Sequence, residues 1–182
     1  MLVTISGEPG SGKTTVARLL ARRLGLPHVY AGDLYRREAE QRGLDLEEFN
    51  RLAEQDHSID RRLDSAMAEH ARAGDVVLEG RLAGFIACKE KLAALKVWLT
   101  ASEDVRAQRV AQREGRDWRE VLRVNDIRHG SDAKRYNDIY GWDLADTRIY
   151  DLVLSTDHET PEALADRLAA EARRRFDAGG GL

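Results

Sequence analysis

The sequence predicts an α/β protein built on a five-stranded parallel sheet with helices on both faces, and three observations lead there. Short apolar segments rich in β-branched residues recur at Leu2–Ser6, His28–Ala31, Val76–Glu79, Leu95–Thr100 and Leu152–Ser155. The stretches between them carry helical periodicity, and parallel strands need such crossovers because a tight hairpin cannot join them. A length of 182 residues suffices for one domain with a real core and is short for two.

The helical stretches fall at Lys13–Leu24, Asp33–Arg42, Leu46–Glu54, Ile59–Ala73, Ser102–Arg113, Trp118–Tyr140 and Pro161–Phe176. Gly25 suits the end of the first. Ser102 stands at the N-cap of the fifth, and Thr160 caps the last, with Pro161 at its first position. A single domain over 1–176 follows, with 177–182, which ends in a glycine-rich run, as a flexible tail.

Composition narrows the function. Hydrophobic content of 42%, charged content of 34% and a net charge of −3 describe an ordinary water-exposed chain with no general attraction to nucleic acid or anionic membrane, so any phosphate affinity must be local. No apolar run approaches a bilayer span, and the N-terminus enters a strand without a basic leader; the expected place is the cytoplasm. Cys88 is the single cysteine and is expected to pack, while the five histidines lack metal-ligand spacing, which argues against structural zinc.

The run Gly7, Glu8, Pro9, Gly10, Ser11, Gly12, Lys13, Thr14, Thr15 sits between the first strand and the first helix. Its G-x-x-x-x-G-K-T spacing is that of a phosphate-binding P-loop. Small residues turn successive N–H groups into a concavity sized for a β-phosphate, and the following helix adds its positive N-terminal end. Lys13 is placed to bridge β- and γ-phosphate oxygens, and the Thr14 hydroxyl to ligate the Mg²⁺ that accompanies a nucleoside triphosphate.

Ligands of such sheets gather beyond the carboxyl ends of the strands, and cationic groups stand in four such places. Asp33 and Arg36 open the helix after the second strand, where Arg36 either faces the cleft or pairs with Glu40. Glu79-Gly80-Arg81 ends the third strand, where Arg81 either reaches into the cleft or pairs with a nearby carboxylate. Arg109 and Arg113 share one face of the helix after the fourth strand, and a solvated stripe paired with Glu103 or Glu114 is the alternative. Arg128, Asp132 and Arg135 follow an i, i+4, i+7 spacing along one helical face. The two guanidiniums either clamp phosphoryl oxygens, with Asp132 orienting them or accepting a ribose hydroxyl, or form an intrahelical salt-bridge ladder.

Taken together, S-G-E-P-G-S-G-K-T-T, A-G-D-L-Y-R-R, V-V-L-E-G-R-L-A-G, the R-x-x-x-D-x-x-R helix and Y-D-L-V-L-S-T with P-E-A-L-A resemble the cytidylate kinases, in the compact type typical of archaea, from Met1 to about Phe176. The resemblance implies the nucleoside-monophosphate kinase version of the P-loop fold and transfer of the γ-phosphoryl group of ATP to CMP or dCMP. It implies that Arg36, Arg81, Arg128 and Arg135 surround the acceptor phosphate and the transferred group, and that Asp132 serves the acceptor. It also implies a monophosphate-binding region at about 33–73 and a mobile lid at about 114–127, into which Arg109 and Arg113 lead.

Two departures matter: Leu82 stands where longer bacterial relatives carry an aspartate, and their insert in the monophosphate region is absent. Cytosine recognition must then come from 44–62, where Gln55, His57, Ser58, Asp60 and Arg61 have suitable groups. Glu79 is a further candidate for the metal's water shell, and the adenine is expected near Thr156 and Asp157. A monomer acting on small molecules is expected. The rival readings are another P-loop kinase, for AMP, UMP or a non-nucleotide alcohol, and a nucleotide-dependent switch. Against the switch, no N-K-x-D-like segment is present; against an RNA partner stand the acidic balance and the lack of a basic stripe with interleaved aromatics.

Overall fold

The computed structural model describes residues 1–177, with Arg128 described by its backbone alone. The tail expectation at 178–182 therefore lies outside the described residues, and Asp177 closes the last helix. Strands β1 (Leu2–Gly7), β2 (His28–Tyr30), β3 (Val76–Glu79), β4 (Leu95–Thr100) and β5 (Leu152–Ser155) form one parallel sheet in the order β2-β3-β1-β4-β5. Helices α1 (Lys13–Leu24), α2 (Ala31–Gln41), α3 (Leu46–Gln55), α4 (Ser58–Ala73), α5 (Ala83–Lys89), α6 (Glu103–Glu114), α7 (Trp118–Tyr140) and α8 (Pro161–Asp177) supply the crossovers.

Every residue of β1 is buried, as a central parallel strand demands, and its side chains divide by period two. Val3 and Ile5 join Val97 and Leu99 of β4 against Val16, Ala17 and Leu20 of α1 and Leu164 and Leu168 of α8. Leu2, with Val76 and Leu78 of β3, faces the other way, onto Met67 and Ala71 of α4 and Ala83, Ile86 and Ala87 of α5. A third cluster, Ala39, Phe49, Ala53 and Ile59, binds α2, α3 and α4 to one another away from the sheet. Asp45 and Glu48 set the entry of α3 with a reciprocal capping box.

The structure corrects three details. None of the expected helical stretches covers 83–89, yet α5 forms there, and the Gly84 N–H at its start donates to Ser6 Oγ of β1 at 3.1 Å. That cap comes from 78 residues away and leaves no local signal. Cys88 does not pack but lies exposed: the buried face of this short helix runs through Ala83, Ile86 and Ala87, and the next residue turns outward. Ser102 holds the N-cap position of α6, but its side chain makes no cap bond and donates instead to Asp157 Oδ1 at 3.3 Å. Thr160 does cap α8, accepting from the Ala163 N–H at 3.2 Å.

Candidate active site

Residues 7–15 leave the end of β1 and wrap into α1. Gly12 has φ +82° at the N-cap of α1, a left-handed conformation that side chains with a Cβ rarely adopt. At Gly10 a Cβ would lie 2.4 Å from the Arg106 carbonyl oxygen, so only glycine lets the backbone of α6 close on the loop. Lys13 Nζ donates to the Glu8 carbonyl at 2.6 Å and lines the cleft above the loop.

The Thr14 hydroxyl donates to Glu79 Oε1 at 2.6 Å. Glu79 ends β3, is fully buried, and has its second oxygen 2.8 Å from His28 Nε2 on β2. A buried carboxylate held by two donors in this way stays fixed at the floor of the loop. With its proton committed to Glu79, the Thr14 oxygen keeps its accepting lone pairs, and Thr14 lines the cleft. One hydroxyl beside a buried carboxylate is the hard oxygen set that suits Mg²⁺, an ion that takes most of its remaining ligands from water and phosphate. The chemistry of Thr14 and Glu79 thus fits such an ion.

On the other side of the cleft stand the cations of β3 and α7. Arg81 Nη1 lies 2.8 Å from Asp132 Oδ2, and Arg135 Nη2 donates to Asp132 Oδ1 at 2.8 Å. Arg135 also donates through Nε to Asp60 Oδ2 at 2.9 Å and through Nη1 to Ser131 Oγ at 3.0 Å. Burial works against the charge of Arg135, yet Asp132 and Asp60 hold its pKa above the ordinary arginine range. Two guanidiniums from different crossovers are thereby gathered around one carboxylate. The face shared by Asp132 and Arg135 agrees with the i, i+3 spacing; the Arg128 side chain lies outside the described residues. Arg36 pairs with Asp33 Oδ1 at 2.6 Å rather than with Glu40, and its guanidinium lies 5.1 Å from the centroid of the Tyr30 ring.

Arg109 joins three elements. Nη1 donates to Thr156 Oγ1 at 2.7 Å and Nη2 to the Thr156 carbonyl at 2.8 Å, while Thr156 Oγ1 itself donates to the Ser11 carbonyl at 3.1 Å. The turn after β5, the phosphate loop and α6 are locked by this set. Arg113 is 66% exposed and pairs with Glu114 at the rim, the pairing weighed from the sequence, while still lining the cleft.

One cavity of about 750 Å³ unites these groups. Gly10, Gly12, Lys13, Thr14 and Thr15 line it, together with Arg36, Arg81, Arg109, Arg113, Asp132 and Arg135. Asp33 is not among its lining residues. Of the five groups in 44–62 considered for the base, only Asp60 lines it, and its carboxylate already serves Arg135. The wall also includes Tyr35, Asn50, Asp64 and Tyr136, which the sequence reading did not single out. Asp60 and Asp64 were visible there as an i, i+4 pair on one helix face; Asn50 gave no such signal.

Residues 2–158 match the profile of the cytidylate kinase-like family. The chain belongs to this family. Among relatives named cytidylate kinase, that of Methanopyrus kandleri is 52% identical over 163 residues, covering 86% of this chain and 84% of its own. The cytidylate kinase of Halobacterium salinarum is 46% identical over 167 residues (91% and 86%), and that of Pyrococcus horikoshii 44% over 164 residues (90% and 84%). Solved structures show the same fold at low identity. A gluconokinase from Sinorhizobium meliloti superposes with TM-score 0.61 at 18% identity, covering 97% of this chain and 94% of that one. A shikimate kinase from Aquifex aeolicus gives 0.54 at 18%, covering both chains fully. The chain thus shares the fold of these kinases, and among the described residues no helix is long and apolar enough to cross a membrane.

Proposed function

We propose that this chain transfers the γ-phosphoryl group of ATP to CMP and dCMP, giving ADP and the cytidine diphosphates. The observation that carries this reading is the cavity in which the loop of residues 7–15 faces guanidiniums from α2, the segment after β3, α6 and α7. A P-loop alone binds one nucleotide; a second cluster of fixed cations across the same cleft calls for a second anionic substrate.

The donor phosphates lie in the loop, where backbone N–H groups and the N-terminus of α1 receive them and Lys13 exchanges the Glu8 carbonyl for phosphate oxygens. The acceptor phosphate lies against Arg81 and Arg135, whose planar forks are already aimed by Asp132, with Arg128 assigned to the same task by its spacing. An acceptor phosphate oxygen attacks the γ-phosphorus in line, the bond from phosphorus to the β–γ bridging oxygen breaks, and ADP leaves carrying that electron pair. No general base is required, because a phosphate monoester is largely ionised near neutral pH. Thr14, fixed by Glu79, would hold a Mg²⁺ ion, which would supply neutralisation of phosphate charge. Arg109 holds Thr156 and the loop in register, and Arg113 at the rim meets charge on the transferred group as 114–127 closes. Closure matters because water is a competing acceptor.

The deciding experiment is a set of initial rates with ATP and CMP, dCMP, UMP, AMP or GMP at equal concentration. CMP and dCMP are expected to be the fast acceptors. Equal rates with AMP, or ATP hydrolysis indifferent to every acceptor, overturn the reading.

A further inference from the structure

Asn50 of α3 and Asp64 of α4 both line the cavity, and each has one polar atom committed to the fold. The Tyr35 hydroxyl donates to Asn50 Oδ1 at 2.7 Å, and the Tyr140 hydroxyl donates to Asp64 Oδ2 at 2.6 Å. The supports are themselves packed: the Tyr35 ring meets Phe49 edge-on at 4.6 Å between centroids, and Tyr140 packs on Phe85 at 5.5 Å. What each residue has left is therefore fixed. Asn50 keeps Nδ2, with two hydrogens to give; Asp64 keeps Oδ1, which accepts.

Asp60 also lines the cavity but is bound to Arg135 and belongs with the phosphate end. With the phosphate at Arg81 and Arg135, a pyrimidine needs its hydrogen-bonding edge matched elsewhere on the wall. Cytosine presents acceptors at O2 and N3 and a donor at its 4-amino group; uracil reverses the last two, with N3–H and O4. Resting on the CMP kinase reading above, we infer that Asn50 and Asp64 determine base specificity, Asn50 Nδ2 donating to N3 or O2 and Asp64 Oδ1 accepting from the 4-amino group. Leu46 and Leu63 line the same wall and offer apolar contact to the ring faces. Burial raises the Asp64 pKa to about 6, which leaves it ionised, and so acceptor-only, at neutral pH.

The test exchanges donor for acceptor without removing either support. Asn50→Asp still offers Tyr35 an oxygen, and Asp64→Asn still offers Tyr140 its amide carbonyl; the double variant restores the net charge. Expected are kcat/KM values for CMP lower by on the order of 100-fold in each single variant, since a buried donor then meets a donor or an acceptor an acceptor. The double variant should prefer UMP to CMP. A double variant with the parent's CMP to UMP ratio overturns the assignment, and if it does not fold, an unchanged ratio in both single variants does the same. Calorimetric binding of ribose 5-phosphate, which lacks a base, should be unaltered; a loss equal to that for CMP overturns the assignment too. A parent enzyme that fails to phosphorylate CMP refutes the kinase reading itself, whereas a parent active on CMP with indifferent variants refutes only the roles of Asn50 and Asp64.

Discussion

Asp132 on α7 and Arg81 beyond β3 are paired at 2.8 Å with each side chain only about a tenth exposed, 9% and 10% respectively. The other carboxylate oxygen of Asp132 holds Arg135 on the same helix, so one anion organises a cation of its own helix and one from beyond β3. Removing a shared partner from a buried ionic group is far more costly than removing a surface pair, because the charges left behind remain desolvated.

Asp132→Ala is expected to lower the unfolding free energy by about 3–5 kcal/mol, read from chemical denaturation. It should also lower kcat/KM for CMP while leaving ATP binding near the parent value, because the donor loop does not touch Asp132. An unaltered denaturation midpoint would mean that the triad contributes no net stability.

Lys13→Ala separates chemistry from folding. Lys13 donates to the Glu8 carbonyl, an interaction worth about 1.5–3 kcal/mol. Turnover is expected to drop by on the order of 10²–10³-fold, as when a donor to developing charge is lost, with a modest fall in melting temperature. Near-parental turnover would remove the loop from the reaction.

Glu79→Gln tests the floor of the donor site. The amide can accept from only one of Thr14 and His28, and its NH₂ group then faces the other. Imidazole can respond by presenting its unprotonated nitrogen, so the fold should survive with a loss of about 1–2 kcal/mol. The Thr14 hydroxyl then donates to a neutral amide oxygen in place of a carboxylate, a weaker hold, and a Mg²⁺ titration at constant ATP should show half-maximal activity at a higher concentration. An unchanged titration would exclude Glu79 from positioning Thr14.

Asp64 makes stability depend on pH in a defined direction. Burial raises its pKa from 3.8 to about 6 despite the bond from Tyr140. Below about pH 4 the group is protonated in both folded and unfolded chains. As pH rises toward 6 the unfolded chain ionises first, and the native state loses on the order of 3 kcal/mol relative to a protein lacking that carboxyl. Asp64→Asn should therefore gain stability over the parent between pH 4 and pH 7, as seen in paired denaturation curves. A difference constant across that range would mean that Asp64 titrates as an exposed carboxyl does.

The sheet was legible because its signal is local: apolar β-branched runs such as Val76–Leu78 and Leu95–Leu99 bounded by helical repeats. The phosphate loop was legible because nine consecutive residues carry its geometry. The acceptor side was legible only as a set of arginines, since spacing along α7 puts Asp132 and Arg135 on one face but cannot show that Arg81 meets them. The bonds made by Thr156, expected only near the adenine, and by His28 and Asn50 stayed hidden for the same reason. Their roles come from partners 47, 51 and 15 positions away, and nothing in their immediate neighbours marks them. The α5 helix escaped because it is seven residues long and takes its cap from another strand.

The cluster of Ala39, Phe49, Ala53 and Ile59 is separate from the two that sandwich the sheet. Helices α2 and α3 and the start of α4 thus form a cassette with its own adhesive, inserted between β2 and β3, while Met67 and Ala71 farther along α4 anchor it to the sheet. Selection, or a protein engineer, can rewrite what that cassette grasps while the phosphate-transferring half stays intact, which gives a mechanical reason why one scaffold can diversify toward many small acceptors.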